Sequence, residues 1–151
     1  MTQPNRILLV EDNPNDVELT LRALADYHLA NEVMVVRDGA EALDYLYRRD
    51  VYALRAHENP VLIFLDLKMP KVDGLEVLRQ LKQDDQLKLI PVVIMTSSRE
   101  EQDVIESYRL GVNAYVVKPV DFPQFTEAIK TLGLFWLVIN QPPPERRPPK
   151  A

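Results

Sequence analysis

The sequence predicts an α/β fold, a (βα)5 doubly wound sandwich built on a five-stranded parallel sheet. Three observations predict it. Five short apolar runs rich in β-branched residues recur along the chain, and a stretch of helical periodicity follows each of them. The composition is that of one globular domain: 151 residues, 46% hydrophobic and 27% charged, with enough chain to bury one core. Strands alternating with helices imply crossover units, whose parallel strands are covered on both faces and read as continuous apolar runs.

The first run, Ile7–Val10, precedes Val17, Leu19, Leu21, Leu24 and Ala25. The pairs Asn13-Pro14 and Asn15-Asp16 between them are residues that open helices. Val33–Val36 precedes Ala40, Ala42, Leu43 and Leu46, and Val61–Leu65 precedes Leu75, Val77, Leu78 and Leu81. Val92–Met95 precedes Val104, Ile105, Tyr108 and Leu110. Ala114–Val117 precedes Phe122, Phe125, Ile129, Leu132 and Trp136, which should form the buried face of the last helix. The connection Arg48–Pro60 is expected to hold a longer second helix and a surface loop. Residues 1–140 should form the domain. Residues 141–151, with Pro142-Pro143-Pro144 and Pro148-Pro149, should form a polyproline-type tail, because proline fixes φ and lacks an N–H.

The absence of cysteine excludes disulfide scaffolds, thiolate metal sites and cysteine nucleophiles. A formal net charge of −5 argues against a nucleic-acid partner. No secretory leader is visible, and Leu134–Ile139 falls far short of the ~20 apolar residues that span a bilayer, so a cytoplasmic protein with no membrane partner is expected. His28 and His57 lie away from acidic partners and read as surface residues.

In open parallel sheets, ligands bind beyond the carboxyl ends of the strands. Here those ends carry Glu11-Asp12, Asp66, Thr96-Ser97-Ser98 and Lys118-Pro119. Converging carboxylates repel one another, and a divalent cation removes that penalty. A few carboxylates, a carbonyl and several waters suit Mg²⁺. A lysine and a hydroxyl beside them can hold phosphoryl oxygens, so the crevice has the groups for phosphoryl transfer to a carboxylate. A flavodoxin-like cofactor site would need small residues with free N–H groups after the first strand, where Glu11-Asp12-Asn13-Pro14 stands. The Asp-x-Asp pattern of haloacid-dehalogenase-type phosphatases, a Walker loop and a Gly-x-Ser-x-Gly elbow are also absent.

Together, Leu8-Leu9-Val10-Glu11-Asp12-Asn13, Phe64-Leu65-Asp66-Leu67-Lys68-Met69-Pro70, Asp73-Gly74, Pro91-Val92-Val93-Ile94-Met95-Thr96 and Tyr115-Val116-Val117-Lys118-Pro119 resemble a two-component response-regulator receiver domain, over about Arg6 to Trp136. Ser107-Tyr108, Gly111-Val112-Asn113-Ala114-Tyr115, Pro119-Val120-Asp121 and Phe135-Trp136-Leu137 resemble the single-domain regulators partnered with phytochrome histidine kinases.

The resemblance implies the flavodoxin-like receiver fold and a phosphoacceptor signalling protein rather than an enzyme. It implies that Asp66 accepts a phosphoryl group from a kinase phosphohistidine. Asp12 and Asp66 would bind Mg²⁺, or Mn²⁺ in its place, with Glu11 acting through water and the Lys68 backbone carbonyl completing the ligands. Lys118 would pair with the phosphoryl group, Thr96 would move onto a phosphoryl oxygen, and Tyr115 would turn inward. The Lys118–Pro119 bond would be cis. Lys68, overhanging the acyl phosphate, and Ser98 should set the dephosphorylation rate. With only the tail after the last helix, output should be contact by the receiver itself or return of the phosphate through a relay. Leu134–Ile139 is apolar all round, so part of it must face outward. A homodimer through the fourth helix, fifth strand and fifth helix, with Phe135, Trp136, Leu137 and the tail, is the expectation. The tail folding back over this patch within one monomer, the tail docking in an aromatic groove, a module that ignores phosphate, and a chemotaxis-type regulator with a different kinase are the alternatives.

Overall fold

The structure is a computed structural model of the chain, described over residues 6–55, 58–69, 71–118 and 121–144. Five strands alternate with five helices: β1 (Ile7–Val10), α1 (Pro14–Ala25), β2 (Val33–Val36), α2 (Gly39–Tyr47), β3 (Leu62–Leu65), α3 (Gly74–Gln83), β4 (Val92–Thr96), α4 (Glu101–Arg109), β5 (Ala114–Val117) and α5 (Phe122–Leu134). All strand pairs are parallel, in the order β2-β1-β3-β4-β5. This is the (βα)5 flavodoxin-like fold that the sequence predicts.

Successive side chains on a strand point to opposite faces, so each central strand feeds two cores. Leu8, Val10, Ile63, Leu65, Val92 and Ile94 pack with Leu43, Leu46, Val77, Leu78 and Leu81 of α2 and α3. Ile7, Leu9, Leu62, Phe64, Val93 and Met95 pack with Val17 and Leu24 of α1 and Phe125 and Ile129 of α5. Four helices start on a side-chain cap: Asn13, Asp38, Asp73 and Asp121 accept backbone N–H bonds from their first turns, each cap contributing about 1 kcal/mol.

Several expectations need correction. β3 begins at Leu62 rather than Val61, and β4 runs one residue further, to Thr96, because Thr96 pairs with Val117. The second helix is not extended. It stops at Tyr47, with Arg48 left-handed at φ 57°, and the chain folds back on it. Tyr52 stacks edge-on against Tyr45 at 5.2 Å and donates to Glu41 Oε2 at 2.6 Å, while the Arg55 guanidinium lies 4.3 Å over the Tyr45 ring. These contacts outweigh helix continuation.

On α5, Phe122 is exposed, not buried; it opens the helix, and the buried line is Phe125, Ile129, Gly133 and Leu137 at four-residue spacing. Beyond α5, Phe135–Ile139 forms a widened π-helical turn closed by Asn140 N–H on the Phe135 carbonyl. Leu137, expected at an outer surface, is buried in the α1/α5 core, and its carbonyl accepts from Arg6 at 3.1 Å. Trp136 is half-buried, and Phe135, Val138 and Ile139 face outward. Pro142, Pro143 and Pro144 line a cleft of about 720 Å³ with Pro60, Val61, Ile90 and Pro91, at the amino edge of the sheet. The Lys118–Pro119 bond, His57 and the rest of the tail lie outside the described residues. Among the described residues, no helix is long and apolar enough to cross a membrane.

Candidate functional site

β1 and β3 are neighbours with Val10 opposite Leu65, so the residues that follow, Glu11 and Asp66, emerge side by side. This is the point in the strand order where the chain reverses direction across the sheet, the usual ligand position. Backbone bonds hold both residues: Glu11 N–H donates to Val36 and Asp66 N–H to Val10. Glu11 Oε2 also accepts from the Asn13 N–H at 3.1 Å, so the turn into α1 aims the carboxylate.

Glu11, Asp12 and Asp66 each offer an oxygen within 4.8 Å of the others. Glu11 and Asp66 are buried, and Asp12 is more open. Carboxylate oxygens in this arrangement fit a divalent cation. Burial pushes the Glu11 carboxyl up to about 7, with the Lys118 hydrogen bond and charge opposing it and the Asp66 charge adding to it. A cation here would relieve that strain on the ionised form.

Lys118, carried in from the end of β5 by its N–H bond to Thr96, reaches three carboxylates. Its Nζ lies 2.5 Å from Glu11 Oε1, 2.8 Å from Asp16 Oδ2 and 3.4 Å from Asp66 Oδ2. Burial alone would lower the ammonium, but the hydrogen bonds to Asp16 and Glu11 and the Asp66 charge outweigh it and hold Lys118 above its ordinary value.

Thr96 is wholly buried at the end of β4, and its Oγ1 accepts from the Ser98 N–H at 3.3 Å. Tyr115, half-buried on β5, donates its hydroxyl to the Ser98 carbonyl at 3.1 Å. The Ser98 hydroxyl donates to Asp103 Oδ2 at 2.6 Å. Lys68 differs from expectation. Its ammonium is drawn to Asp103 Oδ2 at 3.4 Å, toward α4, and that hydrogen bond raises it above its ordinary value.

The structure therefore brings together Glu11, Asp12, Asp66 and Lys118, with Thr96, Ser98, Tyr115 and Lys68 on the adjoining loops. Phe135, Trp136 and Leu137 lie apart from this group at the end of α5, Phe135 facing outward and Leu137 in the core. Sequence reasoning missed two carboxylates, Asp16 and Asp103. Each stands at the third position of a helix, where an acid is ordinarily explained by the exposed N–H groups of the first turn.

The phosphoacceptor candidate sits on a loop pinned by glycine. Gly74 donates its N–H to the Leu67 carbonyl, and a Cβ at Gly74 would lie 2.2 Å from the Asp66 carbonyl oxygen. A Cβ at Gly39 would meet the Val72 carbonyl oxygen at 1.9 Å, so α2 closes on the far end of the same loop.

Residues 7–130 match the family model of the response regulator receiver domain. Response regulator Rcp1 of Synechocystis sp. is 40% identical over 134 residues, covering 89% of this chain and 90% of that protein. A crystal structure of the Mn²⁺-bound form of Rcp1 superposes with a TM-score of 0.85, at 39% identity, over 91% of this chain and 98% of that one. The phosphorylated cyanobacterial phytochrome response regulator RcpA superposes with a TM-score of 0.87 at 42% identity, covering 94% of this chain and 100% of that one. The bacteriophytochrome response regulator RtBRR is 61% identical, with a TM-score of 0.73, over 95% of this chain and 86% of that one. The chain resembles the phytochrome response regulators in sequence and fold, and it belongs to the response-regulator receiver domain family.

Proposed function

We propose that this chain is a single-domain response regulator that accepts a phosphoryl group on Asp66 from the phosphohistidine of a phytochrome-type histidine kinase. The observation that carries the reading is the meeting of Glu11, Asp12 and Asp66 around one point, with Lys118 beside them. An Asp66 oxygen attacks phosphorus, the P–N bond to the kinase histidine breaks, and the histidine leaves as the neutral ring after taking up a proton. Lys118 holds charge on Asp66 and then on the phosphoryl group. Glu11, Asp12 and Asp66, with the Lys68 carbonyl, would hold Mg²⁺, or Mn²⁺ in its place. When bound, the cation would supply positive charge against the acceptor and the transferring oxygens.

Once Asp66 is phosphorylated, the Thr96 hydroxyl leaves Ser98 for a phosphoryl oxygen. Tyr115 moves into the space released, and the surface of α4, β5 and α5 changes. Contacts made only in the phosphorylated state bias this two-state element. Lys68 and Ser98, flanking Asp66, govern how long the phosphoryl group stays. The activity is signalling rather than enzymatic, and a donor charged from ATP implies a cytoplasmic setting.

Incubation with Mg²⁺ and acetyl phosphate, followed by intact-mass analysis, is expected to give one phosphoryl adduct. The adduct should be absent without metal and absent from Asp66→Asn. No adduct on the wild-type chain would mean a receiver-shaped interaction module that does not use phosphate.

The outward-facing Phe135, Val138 and Ile139 next to Trp136 support a homodimer through this end of α5 and the tail. Leu137 would support that surface from within the core rather than touch the partner. Light scattering at high micromolar concentration is expected to return a dimer for wild type and a monomer for a Val138→Asp/Ile139→Asp double variant. A wild-type monomer, phosphorylated or not, rejects the interface.

A further inference from the structure

Asp103 is a buried carboxylate at the start of α4 that the proposed phosphotransfer does not use. It stands apart from the acidic cluster, yet one of its oxygens holds both side chains that flank Asp66. Oδ2 accepts the Ser98 hydroxyl at 2.6 Å and faces the Lys68 ammonium at 3.4 Å. The two partners differ in freedom. Ser98 is further fixed through its carbonyl by Tyr115 and through its N–H by Thr96. Lys68 is largely exposed, so its flexible stem lets the ammonium go wherever negative charge is strongest. An acyl phosphate on Asp66, two residues away, would compete with Asp103 for that cation.

We propose that Asp103 is a positioning residue that holds the Lys68 ammonium away from the phosphoryl group, leaving the attack path open to water and shortening the life of the phosphorylated state. The inference rests on Asp66 being the phosphoacceptor. In the hydrolysis it governs, water oxygen bonds to phosphorus and the P–O bond to Asp66 breaks. The Asp66 carboxylate is restored, and inorganic phosphate leaves carrying the water oxygen and one of its protons, the other passing to solvent.

Asp103→Asn separates the two contacts. The amide oxygen still accepts from Ser98, while the charge that draws Lys68 is gone. Lys68 then settles on the phosphoryl oxygens and covers them. After loading with acetyl phosphate and Mg²⁺ and removal of the donor, the adduct on Asp103→Asn is expected to decay about three-fold more slowly than on wild type, the size of effect a single ion pair of this exposure can exert. The loading rate should be unchanged. In a Lys68→Ala background, the same substitution should leave the decay unaltered, which a merely structural role of Asp103 would not do. An unchanged lifetime in Asp103→Asn, or an equal change with and without Lys68, overturns the proposal while leaving the phosphoacceptor assignment standing. Absence of any adduct on wild type overturns both.

Discussion

Replacing Lys118 with alanine is expected to cost about 3–5 kcal/mol of folding stability in metal-free buffer, the range seen when one partner of a buried ion pair is removed. The lysine serves Glu11, Asp16 and Asp66 together, and its side chain is only 12% exposed. Without it, Glu11 and Asp66 remain buried beside each other with no counter-charge. Ionisation is costly there, since burial already pushes Glu11 up to about 7 with the lysine in place. Urea denaturation should show the loss as a lower midpoint with an unchanged slope. Saturating Mg²⁺ should restore part of it, and restore more in the variant than in wild type, because a ligand that binds only the folded state stabilises by mass action. Equal midpoints for the two proteins in metal-free buffer would show that Lys118 does not neutralise the cluster.

The second large effect is expected at Gly74. An added methyl would lie 2.2 Å from the Asp66 carbonyl oxygen and 2.7 Å from the Leu67 Cα, both backbone atoms of the acceptor loop. Overpacking of this kind costs ~1–3 kcal/mol, and more when no side chain can move aside. Gly74→Ala should therefore lower the melting temperature and, by shifting Asp66, weaken Mg²⁺ binding in a titration. Gly133→Ala is the matched control. Its methyl would meet the Leu24 Cδ2 at 2.6 Å, a side-chain end on the α1/α5 face far from the acceptor loop. It should lower stability and leave Mg²⁺ affinity unchanged. A normal Mg²⁺ affinity in Gly74→Ala would show that the loop yields without moving Asp66.

The strands were legible to within a residue because their signal is local. Runs such as Leu62–Leu65 are apolar at every position, as a strand buried on both faces must be. The candidate site was legible because Glu11, Asp66, Thr96 and Lys118 each follow directly on such a run. What escaped depends on contacts between distant segments. Nothing near Tyr47 announces that Tyr52 and Arg55 fold back onto Tyr45. Helical periodicity alone placed Phe122 inside, but where that helix meets the sheet is a tertiary matter. The widened turn at 135–139 seats Leu137 inside while its neighbours face outward, which an all-apolar stretch conceals. Asp16 and Asp103 look like ordinary helix-start acids, and only the approach of Lys118, Lys68 and Ser98 shows their reach.

The brevity of the strands bears on how the chain can tolerate insertions and deletions. Four of the five have four residues, and Glu11, Asp66 and Lys118 come immediately after their strands. One residue gained or lost within a strand would exchange the side chains it sends to the two cores and move the group at its tip by ~3.3 Å. Folding and the proposed phosphoryl chemistry would fail together, so no partly working intermediate stands between lengths. The opposite edge has no such coupling. The chain there already carries the stretch after Tyr47 whose Tyr52 and Arg55 fold back onto Tyr45. Length variation among related chains should therefore gather at that edge, where a new partner-binding loop can arise without disturbing the acceptor.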